Sequence, residues 1–189
     1  MVDIDEERMN TMKVLLMNGS PRKGNTMIAL NALKAGLAKI PEAEVTEIIC
    51  QDKTIIPCRA CEACGSMSRC IFADDSPEIN AMVEEADAIV FATPVYWWGM
   101  TAQMKLIIDK FYARISKLKG GKKIGSIVIG EAELDDPEYE IIAKQIQCIS
   151  KYLEWEVVFE GAYSANKPSD LKGNEEALKE IEGFAELLR

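Results

Sequence analysis

Short apolar runs alternate with amphipathic stretches along this chain, and that alternation constrains its fold more than any other feature. A strand buried on both faces reads as a continuous apolar run, and such strands belong to parallel sheets covered by helices. Residues 12–17, 44–49, 88–93, 123–129 and 155–162 are read as five such strands. Helical patterns fall at about 26–37, 77–85, 101–115, 137–153 and 175–188. In the third of these, Met104, Ile107, Ile108, Phe111 and Ile115 share one face. Asp136 and Pro137 read as the cap and first residue of the fourth. The alternation predicts an α/β fold: a doubly wound, five-stranded parallel sheet of order 2-1-3-4-5 with helices on both faces. Ligands of such sheets sit outside the carboxyl ends of the strands, at the switch between strands one and three.

The 189 residues suit one domain, expected over 11–189, with a cysteine-rich loop at 50–76. Residues 1–10 carry Asp3, Asp5, Glu6 and Glu7 and read as a flexible, solvated acidic tail. They lack the basic start and apolar stretch of an export signal, so a cytoplasmic protein is expected. No apolar run approaches the roughly 18 residues of a membrane span. A net charge of −9 without a basic patch argues against nucleic acid. Histidine is absent, which removes Ser–His–Asp and Cys–His catalysis and histidine-based zinc sites.

The first strand runs into Asn18-Gly19-Ser20-Pro21-Arg22-Lys23-Gly24-Asn25-Thr26, and a helix begins at once. A helix N-terminus offers unpaired N–H groups and about half a positive charge, which suits an anion. Ser20, Asn25 and Thr26 can add hydrogen bonds, and Arg22 a charge-assisted one. Gly19 and Gly24 have P-loop spacing, but Asn25 stands where that motif needs lysine, and G-x-G-x-x-G is missing. The loop is therefore built for a phosphate that belongs to neither a nucleoside triphosphate nor NAD. The competing reading is a polar turn with nothing bound.

Residues 19–26 resemble the phosphate loop of the NADPH-dependent FMN reductase-like flavoproteins, and Thr93-Pro94-Val95-Tyr96-Trp97-Trp98-Gly99-Met100 resembles their flavin-ring loop. Lys105 and Asp109 lie in a helix that also matches, and the similarity runs from about Lys13 to Tyr163. The resemblance implies a flavodoxin-like fold that binds FMN through Ser20, Arg22, Lys23, Gly24, Asn25 and Thr26 on the phosphate side. It assigns Pro94, Val95, Tyr96, Trp97, Trp98, Gly99 and Met100 to the ring side. It also implies a homodimer or homotetramer. After strand four the chain departs from the family: Gly130-Glu131-Ala132-Glu133 replaces a small, Gly-rich loop. Two carboxylates there would disfavour an anionic reduced flavin.

Pro94 cannot continue a central strand, so the chain turns out at the rim. The aromatics that follow can stack on a planar tricyclic ring, and Gly99 permits close backbone approach. They can equally fill a core or a subunit contact. One or two of the three are expected on the flavin or its entrance, and at least one in packing.

Four of six cysteines crowd into residues 58–70, as Cys58-x-x-Cys61-x-x-Cys64 followed by Cys70. Such a cluster in a reducing compartment points to metal or redox chemistry. Three thiolates at this pitch can wrap one cuboidal cluster with a fourth ligand nearby. The final gap and Ile71 after Cys70 separate this run from the bacterial ferredoxin motif. It is similar to the compact motif of the iron–sulfur flavoproteins, a branch of the same family, which would make Cys58, Cys61, Cys64 and Cys70 ligands of a [4Fe–4S] cluster. A four-cysteine zinc site and a loop of free thiols are the competing readings. Cys50 and Cys148 read as buried apolar residues.

The functional expectation is an FMN-dependent oxidoreductase that takes electrons from NAD(P)H and passes them to a small-molecule acceptor such as a quinone, free flavin or electron-poor aromatic. The flavin would carry the chemistry, and no side chain stands out as acid or base. The alternative is an electron carrier linking a ferredoxin-like donor, a [4Fe–4S] cluster and FMN. A flavin-free regulatory or metal-binding module would require both rim loops to be coincidental.

Overall fold

The apolar runs form five strands in a computed structural model that describes residues 11–189. They are β1 (Met12–Asn18), β2 (Ala43–Ile49), β3 (Ala88–Pro94), β4 (Lys123–Gly130) and β5 (Glu156–Ser164). Every ladder is parallel and the order is β2-β1-β3-β4-β5, as the alternation predicts. The expected tail, residues 1–10, lies outside the described residues. The helices are α1 (Asn25–Leu37), α2 (Cys64–Met67), α3 (Ser76–Glu85), α4 (Ala102–Asp109), α5 (Ile115–Leu118), α6 (Pro137–Leu153) and α7 (Glu175–Gly183). No helix among the described residues is long and apolar enough to cross a membrane.

Successive strand residues face opposite sides, so β1 feeds two cores. Leu15 and Met17 pack with Ile79 and Val83 of α3, Ile107 of α4 and Ile142 of α6. Val14 and Leu16 pack with Leu30, Leu33 and Leu37 of α1 and Ile181 of α7. Those α1 leucines are fully buried, and each stabilises the fold by about 1.5–3 kcal/mol. Because α1 and α4 cover opposite faces of the sheet, the chain leaves β1 and β3 in opposite directions, and a crevice opens between them.

Two helices end earlier than their patterns predict. The helix expected over 101–115 stops at Asp109, and Lys110–Arg114 tightens into a 3₁₀ turn before α5. The cause is Lys110, whose carbonyl accepts a 2.9 Å hydrogen bond from Asn80 Nδ2 and whose amine turns inward to Asp74. The last helix likewise passes into a 3₁₀ turn at Phe184–Leu188. Asp136 caps α6 by accepting from Glu138 N, with Pro137 first in the helix, as expected. Cys50 is buried as expected, and burial pushes its thiol up to about 12. Cys148 is exposed instead. It stands two positions after buried Ile146, about 200° around α6 and off the core face.

Candidate functional site

At the carboxyl ends of β1 and β3 the chain closes on itself through Gly19. Its N–H donates to Ala92 O at 2.8 Å, and its carbonyl accepts from Thr101 Oγ1 at 2.7 Å. A Cβ at Gly19 would stand 2.9 Å from Met104 Cε and 3.1 Å from Thr101 Oγ1, so a larger residue would force both side chains to give way. Thr101 also caps α4, accepting from Met104 N. The loop after β1 folds on itself: Ser20 N donates to Asn18 Oδ1, and Ser20 Oγ donates to Arg22 O at 2.8 Å. At Gly24 no side chain caps α1, and first-turn N–H groups have no intrahelical partner.

A cleft of about 290 Å³ lies outside these ends. Ser20, Arg22, Asn25 and Thr26 form one wall, and Pro94, Val95, Tyr96, Trp97 and Trp98 another. Four residues expected in the site lie off these walls. Lys23 points to solvent. Gly24 is buried at the helix cap, and Gly99 closes the aromatic turn. Met100 is buried in the core beside α4. Asn25 lines the cleft, but its amide is committed elsewhere. Its Nδ2 donates to Lys167 O at 2.8 Å and its Oδ1 accepts from Leu171 N at 3.2 Å, lashing the chain after β5 across the mouth of α1. A hydrogen bond from the Asn25 side chain to a phosphate would compete with that tie.

The second wall is a tight hairpin. Tyr96 N donates to Gly99 O at 2.8 Å and Gly99 N to Tyr96 O at 3.2 Å, leaving Trp97 and Trp98 as the two turn residues. Their φ angles are +53° and +58°, the pattern of a type I′ turn that Asn-Gly ordinarily occupies. For tryptophan each such conformation costs about 1–2 kcal/mol. The turn holds Trp97 91 % exposed and Trp98 50 % exposed, edge to face at 5.5 Å. Tyr96 is also exposed, so none of the three packs into this chain's own core, which leaves a subunit contact as the packing role open to them. A strained turn presenting two indoles to solvent beside a cleft is a feature of functional sites rather than of packing.

The third wall was only partly foreseen. Ile129, Gly130 and Glu131 at the end of β4, Glu138 at the start of α6, and Ala165 and Asn166 after β5 complete the cleft. Glu131 faces it as expected of the acidic loop, but the second carboxylate is Glu138, not Glu133. Glu138 is 8 % exposed, and its Oε1 has no hydrogen-bond partner among the described residues. A Cβ on Gly130 would lie 2.0 Å from that oxygen, so glycine makes the room for it. Burial pushes the Glu138 carboxyl above the ordinary glutamate range. The Ala132 backbone amide opposes this, and the Asp136 and Glu131 carboxylates add to it. No residue-type motif announced Glu138; the cue was the Asp136-Pro137 helix start, which places the next residue at the rim.

The four clustered cysteines line a second cavity of about 210 Å³ with Phe72, Lys110 and Tyr112. All are free thiols. The loop carrying them starts at the rim, where Gln103 Nε2 donates to Gln51 Oε1 at 2.8 Å. It then descends along α4 to Arg114, whose Nη1 donates to Ser68 O at 3.3 Å. The eight residues of α4 alone span about 12 Å at 1.5 Å per residue. The loop therefore begins on the cleft's rim, as topology requires, while its cysteines gather beside the far end of α4. Ala60, Glu62 and Ser68 take positive φ, three of the six non-glycine residues that do so among the described residues. With Trp97 and Trp98, backbone strain concentrates in the two loops of chemical interest.

Beneath the cavity lies a buried ion pair. Lys110 Nζ is 3.1 Å from Asp74 Oδ2, and their side chains are 2 % and 0 % exposed. Burial alone would raise the Asp74 carboxyl, but hydrogen bonds from Ser76, the Ile56 amide and Lys110 hold it below its ordinary range. Burial likewise opposes the charge on Lys110, and the Asp74 and Cys70 contacts overcome it and raise the amine. Among the described residues no three Cys, Asp or Glu side chains are grouped so as to hold a metal ion.

The model of the family described as NADPH-dependent FMN reductase matches residues 12–140. An iron–sulfur flavoprotein of Archaeoglobus fulgidus is 37 % identical over 132 residues, 67 % of this chain and 58 % of the relative. Iron–sulfur flavoprotein MJ1083 of Methanocaldococcus jannaschii is 35 % identical over 63 % of this chain and 62 % of the relative. The chain thus spans about six-tenths of the length of these relatives. Among solved structures, the NAD(P)H:quinone oxidoreductase of Methanothermobacter marburgensis superposes with a TM-score of 0.70 at 17 % identity, covering 95 % of this chain and all of that one. An FMN-dependent NADH-azoreductase of Bacillus anthracis, solved with FMN, gives 0.64 at 13 % identity, over 92 % and 98 % of the two chains. These two likenesses share the fold. By the family match, the chain belongs to the NADPH-dependent FMN reductase family.

Proposed function

We propose that this protein is an FMN-dependent oxidoreductase, with FMN in the cleft at the β1–β3 switch point. The observation that carries this reading is the cleft itself: an uncapped helix start with Arg22 on one side and the strained, solvent-facing indoles on the other. In this reading the first-turn amides of α1 and Arg22 hold the phosphate, and Tyr96, Trp97 and Trp98 flank the ring. FMN supplies the redox chemistry when bound, and the chain binds, orients and partly shields it. Glu138 keeps its proton longer than an ordinary glutamate, which limits negative charge on the third wall. A nicotinamide donor and a quinone-type acceptor are the partners this reading takes from the family. The exposed indoles fit a contact with a second subunit, in a homodimer or homotetramer.

The cysteine cavity favours a second reading. Here Cys58, Cys61, Cys64 and Cys70 hold a [4Fe–4S] cluster, and the protein carries electrons between a ferredoxin-like donor, the cluster and FMN. Four thiols around one cavity, with Lys110 reaching Cys70, support it.

Anaerobic purification followed by iron, sulfide and flavin analysis separates the two. Stoichiometric FMN with bleaching by NADPH or NADH, and no sulfide-bound iron after reconstitution, supports the reductase alone. About four irons per chain with FMN supports the carrier. Absence of FMN at micromolar cofactor overturns both.

A further inference from the structure

Lys110 is more deeply buried than holding the cysteine loop requires. Its ammonium is 3.1 Å from Asp74 Oδ2, 3.4 Å from Cys70 Sγ and 5.1 Å from the centre of the Phe72 ring. Asp74 is in turn fixed by the Ile56 amide at 2.9 Å and by the amide and hydroxyl of Ser76. The Lys110 carbonyl is tied to Asn80. The amine is thus held in place from both its backbone and its counter-ion, with one donor directed at a sulfur. Desolvating such a pair costs several kcal/mol per ion, and apolar residues of similar size commonly serve a fold equally well. Packing alone therefore leaves the pair unexplained.

We infer that Lys110 is a positioning and tuning residue: it holds Cys70 in place and, through its N–H···S bond and its charge, raises the reduction potential of the group the cysteines bind. This rests on the [4Fe–4S] reading above. An iron–sulfur cluster gains negative charge on reduction, and hydrogen bonds to its sulfurs and nearby cations favour that form. Asp74 acts oppositely, offsetting part of the ammonium's charge. Arg59, whose guanidinium is 5.4 Å from the centre of the Phe72 ring, is a second cation at this loop. The remaining three cysteines receive no such side-chain donor among the described residues.

The test is an anaerobic redox titration of reconstituted protein, following cluster and flavin signals separately. Lys110→Met should lower the cluster potential, with the reduced-to-oxidised ratio at fixed potential falling about tenfold, 59 mV for a one-electron couple. Asp74→Asn should shift it the other way, and the FMN couple should stay put in both. Disorder of the loop would instead move both variants alike. Shifts of the same sign, or an unmoved potential in a loaded Lys110→Met protein, would overturn the inference. Should Lys110→Met fail to load, Lys110→Arg must load and titrate near wild type, and failure to do so also overturns it. Wild-type protein that takes up no iron and sulfide rejects the cluster reading itself, and this inference with it.

Discussion

The hydroxyl of Thr101 donates a 2.7 Å hydrogen bond to the carbonyl of Gly19, 82 positions earlier in the chain. One side chain thereby joins the loop after β1 to the helix after β3 and sets the separation of the two main walls of the cleft. The same oxygen caps α4. Thr101→Val should therefore lose a cap and a buried hydrogen bond, about 2 kcal/mol together. Urea denaturation reads this directly. A loss under half a kcal/mol would show that the two loops hold their spacing without it.

Arg22 is exposed and makes no ion pair among the described residues, so Arg22→Ala should leave stability almost unchanged. A charge-assisted hydrogen bond contributes about 1.5–3 kcal/mol, so FMN should bind roughly ten- to a hundredfold more weakly. Fluorescence titration with FMN measures it, and unchanged affinity removes Arg22 from the phosphate site.

Replacing Trp97 and Trp98 by Asn and Gly gives the type I′ turn its preferred residues. The FMN-free protein should gain about 1 kcal/mol or more, since Trp97 is 91 % exposed and forfeits little packing. FMN should bind less tightly, because the indoles flank it. A variant that is less stable than wild type would refute the strain.

Glu138 should give stability a distinctive pH dependence. Its carboxyl is raised in the folded chain by burial, with Asp136 and Glu131 adding to the effect. Between the ordinary glutamate range and the raised value, the folded state holds a proton that the unfolded state has released. Stability should therefore fall as pH rises through that window, and Glu138→Gln should flatten the fall. Thermal unfolding across mildly acidic to neutral pH checks the sign. Identical slopes in the two proteins would mean Glu138 titrates normally.

Cys64→Ala should abolish reconstituted iron and sulfide while FMN remains stoichiometric, because the two cavities share no lining residue. Parallel loss of both cofactors would show that the cysteine loop is needed to form the cleft.

Much of this was legible along the chain. Continuous apolar runs identified all five strands, because strand burial leaves a local mark, and their alternation with helices gave the order. The phosphate-loop and aromatic-loop residues were identified from glycine, proline and cap positions, which act on their own backbone neighbours. Other features depend on partners far away in sequence. Asn25 reads as a free phosphate ligand until Lys167 and Leu171 arrive to use its amide. Cys148 reads as core until the phase of α6 turns it outward. The helix over 101–115 reads as continuous until Asp74 and Asn80 draw Lys110 inward.

The sequence by itself determined the parallel α/β sheet, the switch point and the residue types on its rim, since periodicity and local turn chemistry are properties of neighbouring residues. Only the tertiary structure decided that Glu138 completes the cleft, that the indoles face solvent, and that Lys110 reaches Cys70. Each of those depends on how elements far apart in the chain pack against one another, and on which polar groups that packing buries.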